Sequence, residues 1–548
     1  MNSLSALHRP QYWQRLTEEP FDLIVVGGGV TGAGIALDAA TRGMKTALLE
    51  KHDFASGTSS RSTKLIHGGL RYLKQLEIGL VREVGRERAI VHRLAPHLVR
   101  PEKMLLPLIE GGTYGKLATS LGLLLYDFLA DVEGDDRRKM LDRDETLDQE
   151  PLLRAEGLLG GGLYAEYRTD DARLTIELIK QAVRSGALCL NYSEVTGFQY
   201  RDEKVVGVQC TDRLSGADGA IQGAYVVSAA GPWVDDLRRI DHSLQGKHLF
   251  LSKGVHLVVP HHRLPLKQAV YFDVPDGRMM FAIPRHRATY LGTTDTAYEG
   301  KPEEVTANRQ DAEYILQGAN AMFPLARLTL QDVESSWAGL RPLIYEEGKS
   351  PSEMSRRDEI FESDSGLLSI AGGKLTGYRK MADRIVDLVA ERFQQEHDRR
   401  FPESATKDQP LGEEPFGNIR EVREYERRLD REVQAQGLPA YRTSYLTENY
   451  GRQSSLILEK MGNFPDEDPE TRLARAEAWY GIHHELCCTA LDLFNRRTGR
   501  LYFDHPGIGR VQQAVLQDLA EQLNWSAEQL EAETAALERA KAEAATFE

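Results

Sequence analysis

The chain has 548 residues, enough for roughly two to four domains of ordinary size. Acidic residues outnumber basic ones by 83 to 68, and the formal net charge of −15 argues against a broad basic surface for nucleic acid. The four cysteines show no metal-ligand spacing and two are adjacent, which argues against a metal site and a disulfide framework. Any anionic ligand must therefore be held by a local cluster of arginine and lysine.

The membrane signals of the sequence are weak. The N-terminus has no continuous apolar segment before its charges, and no run approaches the roughly 20 apolar residues that cross a bilayer. The best candidate for attachment is Lys116 to Ala130, followed by the basic residues Arg137, Arg138 and Lys139. It fits a buried helix or an interfacial, quinone-facing one. We expect a cytoplasmic protein or one attached to the membrane from the cytosolic side.

The first strong signal is an apolar strand, Phe21 to Val26, that ends in a glycine turn. Gly27, Gly29 and Gly32 fit G-x-G-x-x-G, and a helix rich in small residues follows at Ala33 to Thr41. Residues without a Cβ allow the tight turn and the close approach of a diphosphate, while the helix N-terminus offers free N–H groups. The pattern predicts dinucleotide binding; the alternative is that these glycines only allow close packing.

A second apolar strand, Lys45 to Leu49, ends at Glu50. This acid lies 23 residues after the first glycine of the turn, where a carboxylate can accept hydrogen bonds from a ribose hydroxyl. The polar loop from Ala55 to Leu73 comes next, and a long loop in a compact domain usually carries function.

The middle of the chain alternates short elements. The patterns predict helices at Glu77 to Leu98, Ala172 to Ser185 and Ala307 to Met322, and strands at Leu188 to Tyr192, Val195 to Tyr200, Val205 to Cys210 and Tyr225 to Ala230. From His256 to Thr294 apolar runs follow one another without helices, which predicts an antiparallel sheet.

The end of this part repeats the opening pattern. A strand at Leu367 to Ala371 ends in Gly372 and Gly373 before a helix that begins near Leu375, so we expect the chain to return to the dinucleotide site.

The sequence predicts three parts. Residues 1–395 form a dinucleotide-binding domain interleaved with a substrate domain, whose sheet lies mainly in 245–345. Residues 396–417 form a linker, because prolines interrupt any regular element. Residues 418–548 form a separate helical domain, whose last helix begins with Ser526 and Gln529 in capping-box positions.

Seven motifs together resemble the FAD-dependent glycerol-3-phosphate dehydrogenases of aerobic bacteria and mitochondria. They are the glycine loop, STKLIHGGLRYL (62–73), AAGPWVDD (229–236), KGVHLVV (253–259), LGTTD (291–295), GLRPL (339–343) and GGKLTGYRKMAD (372–383). Their order and spacing match over about residues 15–395. The resemblance implies an α/β (α+β) flavoprotein: a Rossmann-like FAD-binding domain, a D-amino-acid-oxidase-like substrate domain on an antiparallel sheet, and a helical C-terminal domain.

The resemblance also implies a reaction. It is the oxidation of sn-glycerol 3-phosphate to dihydroxyacetone phosphate by hydride transfer from C2 to non-covalent FAD, with electrons passed to membrane quinone. The protein would associate peripherally with the inner face of the cell membrane, with a homodimer as one possible state. Two alternatives stay open. One is an oxidase that uses O₂ and releases H₂O₂, although no surplus segment stands between Arg287 and Leu340. The other is a flavin-stabilised binding protein without turnover.

The site residues follow from the same resemblance. Substrate binding is assigned to Arg71, Tyr72, Arg341 and Lys374, and catalysis to His256, Lys374 and Arg341. Cofactor binding is assigned to Gly27, Gly29, Gly32, Glu50, Ser59, Ser60, Lys64, Leu65, His67, Gly231, Gly372, Gly373, Leu375 and Thr376. No metal site is expected.

Physical chemistry supports these roles and leaves alternatives. An arginine fork suits a phosphate dianion, though Arg341 also fits a structural ion pair and Arg71 a solvated loop charge. A histidine titrates near working pH and suits a general base, though His256 also fits a core histidine, and which residue is the base stays open. Lys374 would stabilise an alkoxide, or else bond the FAD or a carbonyl.

Overall fold

The computed structural model describes residues 4–66, 78–112, 138–345 and 358–548. The candidate attachment segment, Lys116 to Ala130, lies outside these ranges. Among the helices in the described ranges, none combines the length and the apolar character that a bilayer crossing requires.

The predicted helices and strands that lie in these ranges occur in the expected order, with bounds that differ by a few residues, and further elements lie between them. The strands are β1 (Phe21–Val26), β2 (Thr46–Leu49), β3 (Leu65–Ile66), β4 (Arg100–Ile109), β5 (Lys139–Leu141), β6 (Leu158–Arg168), β7 (Leu188–Leu190), β8 (Ser193–Arg201), β9 (Lys204–Asp212), β10 (Asp218–Ser228), β11 (Leu249–Pro260), β12 (Ala269–Asp273), β13 (Met279–Arg285), β14 (Ala288–Gly292), β15 (Thr296–Ala297), β16 (Ser335–Ile344), β17 (Asp358–Glu362) and β18 (Leu368–Gly372).

The helices are α1 (Arg9–Glu18), α2 (Val30–Thr41), α3 (Ile78–Leu94), α4 (Arg143–Gln149), α5 (Asp171–Arg184), α6 (Val234–Ile240), α7 (Arg309–Met322), α8 (Tyr378–His397), α9 (Ile419–Ala435), α10 (Tyr441–Tyr450), α11 (Ser454–Met461), α12 (Pro469–His484), α13 (Arg500–Phe503), α14 (His505–Leu523) and α15 (Ala527–Ala545).

The first sheet has the order β17-β18-β10-β1-β2-β7. Strands β18, β10, β1, β2 and β7 run parallel, and β17 pairs antiparallel at one edge. Strands β1 and β2 are apolar along almost their whole length because a parallel sheet is covered on both faces. Ligands of such sheets bind beyond the carboxyl ends of the strands, where the glycine turns after β1 and β18 lie.

The second sheet has the order β15-β11-β14-β13-β12-β4-β6-β3, with β16 beside β11 and β5 beside β6. Its pairs are antiparallel except for β4 with β12, which confirms the antiparallel prediction for the segment after His256. The sheet also reaches beyond 245–345, because β3 to β6 come from the first third of the chain. These strands need partners that are distant in sequence, so local pattern did not reveal them.

The C-terminal part is helical, as predicted, but it is not separate from the rest. Its apolar core is continuous with that of the first sheet. Buried ion pairs also cross the boundary: Arg173 bonds Glu485 at 2.7 Å, and Asp53 bonds Arg497 at 2.6 Å. The predicted linker is also packed, since Leu411 is fully buried. Prolines prevent regular structure there, but they do not prevent packing.

Candidate active site

A cavity of about 670 Å³ is lined by residues from both sheets. Most of the predicted site residues in the described ranges line it: Gly27, Gly29, Glu50, Ser59, Leu65, Gly231, His256, Arg341, Gly372, Gly373, Lys374, Leu375 and Thr376. Three others, Gly32, Ser60 and Lys64, do not. The predicted residues His67, Arg71 and Tyr72 lie outside the described residues.

The glycine turn brings backbone to the cavity. Gly27 has φ +112°, and a Cβ there would lie 2.6 Å from the carbonyl oxygen of Ala229. A Cβ on Gly32 would lie 1.9 Å from the carbonyl oxygen of Gly27, so this glycine allows α2 to pack on the turn rather than lining the cavity. Gly29 is the N-cap of α2 and has no side chain of its own, and the hydroxyl of Ser59 accepts from the N–H of Val30 at 2.9 Å. A helix N-terminus at the cavity wall suits a diphosphate.

Glu50 occupies the position predicted to bind ribose. One of its carboxylate oxygens accepts from the N–H of Gly28 at 2.7 Å, and the other accepts from the N–H of His52 at 2.8 Å. Burial raises the pKa of this carboxyl. Each carboxylate oxygen has a second lone pair, so the group can still accept hydrogen bonds from a ligand hydroxyl.

Ser60 and Lys64 do not line the cavity, and the structure gives both side chains protein partners. The Ser60 hydroxyl is directed to the carbonyl of Gly57, and the side chain is buried. The Lys64 ammonium bonds Asp171 at 2.5 Å and the carbonyl of Ser60 at 3.1 Å, and the residue is 2% exposed. A carboxylate as buried as Asp171 needs a cation nearby. The adjacent acids at 170 and 171 were the sequence signal for such a partner.

Strands β11 and β16 form the face opposite the glycine turn. In their antiparallel register Ser252 lies opposite Arg341, Gly254 opposite Gly339 and His256 opposite Trp337. Alternate residues of a strand share one face, so Arg341 and His256 project from the same side of the sheet. The register thus places the predicted phosphate ligand and the predicted base together.

His256 is 1% exposed and stacks on Trp337, with ring centroids 4.8 Å apart and planes at 13°. Its Nε2 lies 3.0 Å from the hydroxyl oxygen of Thr63. Burial, and then the nearby charges of Arg341 and Lys64, hold the pKa of His256 well below its usual value of 6.5. The imidazole is therefore neutral at pH 7, the state in which it can accept a proton.

The Arg341 guanidinium lies flat against Gly254. A Cβ on that glycine would be 2.4 Å from Nη2. The guanidinium donates to the hydroxyl of Thr293 at 3.1 Å and the carbonyl of Thr294 at 3.3 Å, and its ion pair with Asp295 is 3.4 Å long. These contacts are long, and the side chain keeps 21% exposure. Arg341 therefore forms an ion pair with Asp295, and its guanidinium is still accessible from the cavity.

The turn after β18 forms the third wall. Gly372 and Gly373 have φ of +81° and +76°, a region that favours glycine. A Cβ on Gly373 would also lie 2.4 Å from the sulfur of Met381. Lys374 follows as the N-cap of a short helical turn, and its ammonium nitrogen is buried at the cavity wall. The two glycines thus bring a lysine and a helical N-terminus to the cavity.

Sequence reasoning missed the residues that hold the site in place. Thr63 contacts His256, and Trp337 stacks on the same histidine. Asp295 pairs with Arg341. Thr63 and Asp295 stood inside recognised motifs, but only the cross-strand register shows which side chains meet.

Family models and known proteins match most of the chain. A family model described as FAD dependent oxidoreductase matches residues 22–379, and one described as the C-terminal domain of alpha-glycerophosphate oxidase matches residues 405–530. The chain is 50% identical over 527 residues to the aerobic glycerol-3-phosphate dehydrogenase of Bacillus subtilis strain 168, covering 96% of this chain and 95% of that protein. It is 46% identical over 546 residues to the same-named protein of Staphylococcus aureus USA300, covering 99% and 98%.

Solved structures give the same result. The glycerol-3-phosphate dehydrogenase from Bacillus halodurans, complexed with FAD, superposes with a TM-score of 0.84 at 44% identity and covers 99% of both chains. The L-alpha-glycerophosphate oxidase from Mycoplasma pneumoniae, with FAD bound, has a TM-score of 0.55 at 18% identity, covers 71% of this chain and 97% of that one, and shares the fold alone. The glycine cradle and helix N-terminus described above fit FAD. The chain belongs to the FAD-dependent oxidoreductase family and, within it, to the aerobic glycerol-3-phosphate dehydrogenases.

Proposed function

We propose that this protein oxidises sn-glycerol 3-phosphate at C2 to dihydroxyacetone phosphate and passes the electrons to membrane quinone. One observation carries the proposal. A single cavity brings Arg341, Lys374 and the neutral His256 together beside the dinucleotide site. The names of the full-length relatives support the same substrate.

Arg341 binds the phosphate of the substrate in this account. A guanidinium offers parallel N–H donors that match two phosphate oxygens, and its bonds to Thr293, Thr294 and Asp295, 3.1 to 3.4 Å long, are weak enough to be exchanged. By the resemblance to the family, Arg71 joins Arg341 at the phosphate and its neighbouring hydroxyls, and Tyr72 contacts a hydroxyl.

Proton transfer is assigned to His256. Its neutral imidazole takes the proton of the C2 hydroxyl through Nε2, which now faces Thr63. Lys374 stabilises the developing alkoxide with its positive charge. FAD, when bound, supplies the hydride acceptor. Because His256 is buried, solvent water has little access to the imidazole that accepts this proton.

The electron acceptor is the second part of the proposal. The relatives are named dehydrogenases, which supports an acceptor other than O₂, whereas the C-terminal family model carries the name of an oxidase. We propose that the protein attaches peripherally to the inner face of the cell membrane. From there it can pass electrons to a quinone in the bilayer.

Steady-state turnover of the holoenzyme tests both parts. With a soluble quinone analogue, sn-glycerol 3-phosphate should be turned over far better than glycerol, and dihydroxyacetone phosphate should accumulate. Arg341→Lys keeps the charge but loses the fork, so kcat/KM should fall about 10-fold, and Arg341→Gln should lose more. Equal rates with glycerol would refute the substrate assignment, and O₂ turnover that matches quinone turnover would refute the acceptor.

A further inference from the structure

Arg61 is a cavity-lining arginine to which no role was assigned above. It follows the short helical turn Thr58–Ser60, is half-buried, and lies in the wall between the glycine turn and β16. Within the described ranges, its guanidinium makes no hydrogen bond or ion pair with another protein group. A cation in a half-buried wall without a protein partner is placed for an anionic ligand.

Among the described residues of the same wall, the other arginines and the half-buried Lys51 already have carboxylate partners. Arg341 pairs with Asp295, Arg278 with Asp276 and Lys51 with Glu303. Their positive charges are therefore largely balanced before any ligand enters. Arg61 differs from them in this respect.

The root of the Arg61 side chain is fixed beside the N-terminus of α2. Two residues before it, the hydroxyl of Ser59 accepts from the N–H of Val30 in the first turn of α2, at 2.9 Å. Two residues span at most about 7 Å, so Arg61 starts close to this helix end. On its other side its backbone lies against β16, because a Cβ on Gly339 would be 2.4 Å from the Arg61 carbonyl oxygen.

The negative charge of FAD indicates which anion Arg61 binds. The diphosphate of FAD carries two negative charges, and a helix N-terminus supplies only about half a positive charge. An arginine fork matches two phosphate oxygens and restores most of the balance. We propose that Arg61 binds the diphosphate of FAD, together with the N-terminus of α2, and so sets how tightly the cofactor is held.

The test is the equilibrium release of FAD from the purified holoenzyme. Serial dilution, followed by the fluorescence of free FAD, gives the dissociation constant at several salt concentrations. Arg61→Gln should raise this constant about 10- to 100-fold, the usual loss for a hydrogen bond to a charged group, and should flatten its salt dependence. Arg61→Lys should lose less, because the charge is kept.

Arg278→Gln is the matched control, since it removes an arginine of the same cavity that is already paired with Asp276. Its FAD dissociation constant should stay within about 2-fold of wild type. The KM for sn-glycerol 3-phosphate is also measured with excess FAD. It shows whether a variant affects the phosphate of the substrate or the diphosphate of FAD.

An unchanged FAD dissociation constant in Arg61→Gln would overturn the proposal. A rise in substrate KM at saturating FAD without weaker FAD binding would also overturn it, because Arg61 would then bind the substrate phosphate. If Arg61→Gln does not fold, Arg61→Lys decides alone: the proposal requires weaker FAD binding at an unchanged melting temperature of the FAD-saturated protein.

Discussion

Gly254→Ala is the sharpest single change for the proposed phosphate site. The added methyl would sit 2.4 Å from Nη2 and 2.7 Å from Cζ of Arg341, well inside van der Waals contact. The clash falls on the far end of a flexible side chain, so Arg341 moves and the backbone does not. Gly254 itself lies in the middle of β11 and makes no side-chain contact that could be lost.

The cost divides unequally between folding and function. The guanidinium gives up bonds of 3.1 to 3.4 Å to Thr293, Thr294 and Asp295, and because these bonds are long each contributes only about 0.5 kcal/mol to folding. Its bond to substrate phosphate is charge-assisted and worth roughly 1.5–3 kcal/mol. We therefore expect kcat/KM for sn-glycerol 3-phosphate to fall about 10- to 100-fold, with a small change in melting temperature.

The assay is steady-state turnover with a quinone analogue, beside thermal unfolding of the same preparations. Gly509→Ala serves as control, since an added Cβ meets nothing within 4 Å on helix α14. It should leave kcat/KM unchanged and not lower the stability. A kcat/KM for Gly254→Ala within 3-fold of wild type, or a loss matched by a collapse in melting temperature, would refute the reasoning.

Three further changes probe the framework of the site. Gly32→Ala places a Cβ 1.9 Å from the carbonyl of Gly27, so α2 must shift and FAD should be lost, which the ratio of flavin to protein absorbance after gel filtration measures. His97 is fully buried and its pKa is lowered to about 4, so the unfolded state binds its proton first and stability falls below pH 6.5. Chemical unfolding gives the free energy of unfolding at pH 5 and at pH 7.5. The difference between these two values should be about 2 kcal/mol smaller in His97→Gln than in wild type, and an equal pH dependence would count against the burial of His97. Arg497→Gln leaves the buried Asp53 short of a partner and should cost roughly 3 kcal/mol or more, seen as a lower melting temperature; an unchanged melting temperature would mean that the pair contributes little.

Local pattern was enough for those parts of the site that are built from contiguous residues. The turns after β1 and β18 each follow an apolar strand and use glycine where the backbone has positive φ, so their conformation could be predicted before the fold was known. Glu50 follows β2 directly, so its place at the end of that strand could also be predicted from its neighbours in the sequence. In each case the sequence neighbours are also the spatial neighbours.

The contacts that need register or burial could not be predicted. Trp337 meets His256 only because β11 and β16 pair in one register, and nothing local specifies it. Lys64 stands in a motif that resembles a cofactor loop, yet a buried carboxylate behind the wall holds its ammonium. The segment 396–417 reads as a linker because its polarity is visible, whereas the burial of Leu411 is not.

The most direct measurement is an anaerobic stopped-flow reaction of the holoenzyme with sn-glycerol 3-phosphate, followed in the flavin absorption band. The account predicts rapid loss of the oxidised flavin band, strong slowing in Arg341→Gln and His256→Gln, and reoxidation by a quinone analogue that far outpaces oxygenated buffer. A protein shown to contain FAD whose band does not change with this substrate would contradict the assignment of the cavity to a phosphorylated alcohol.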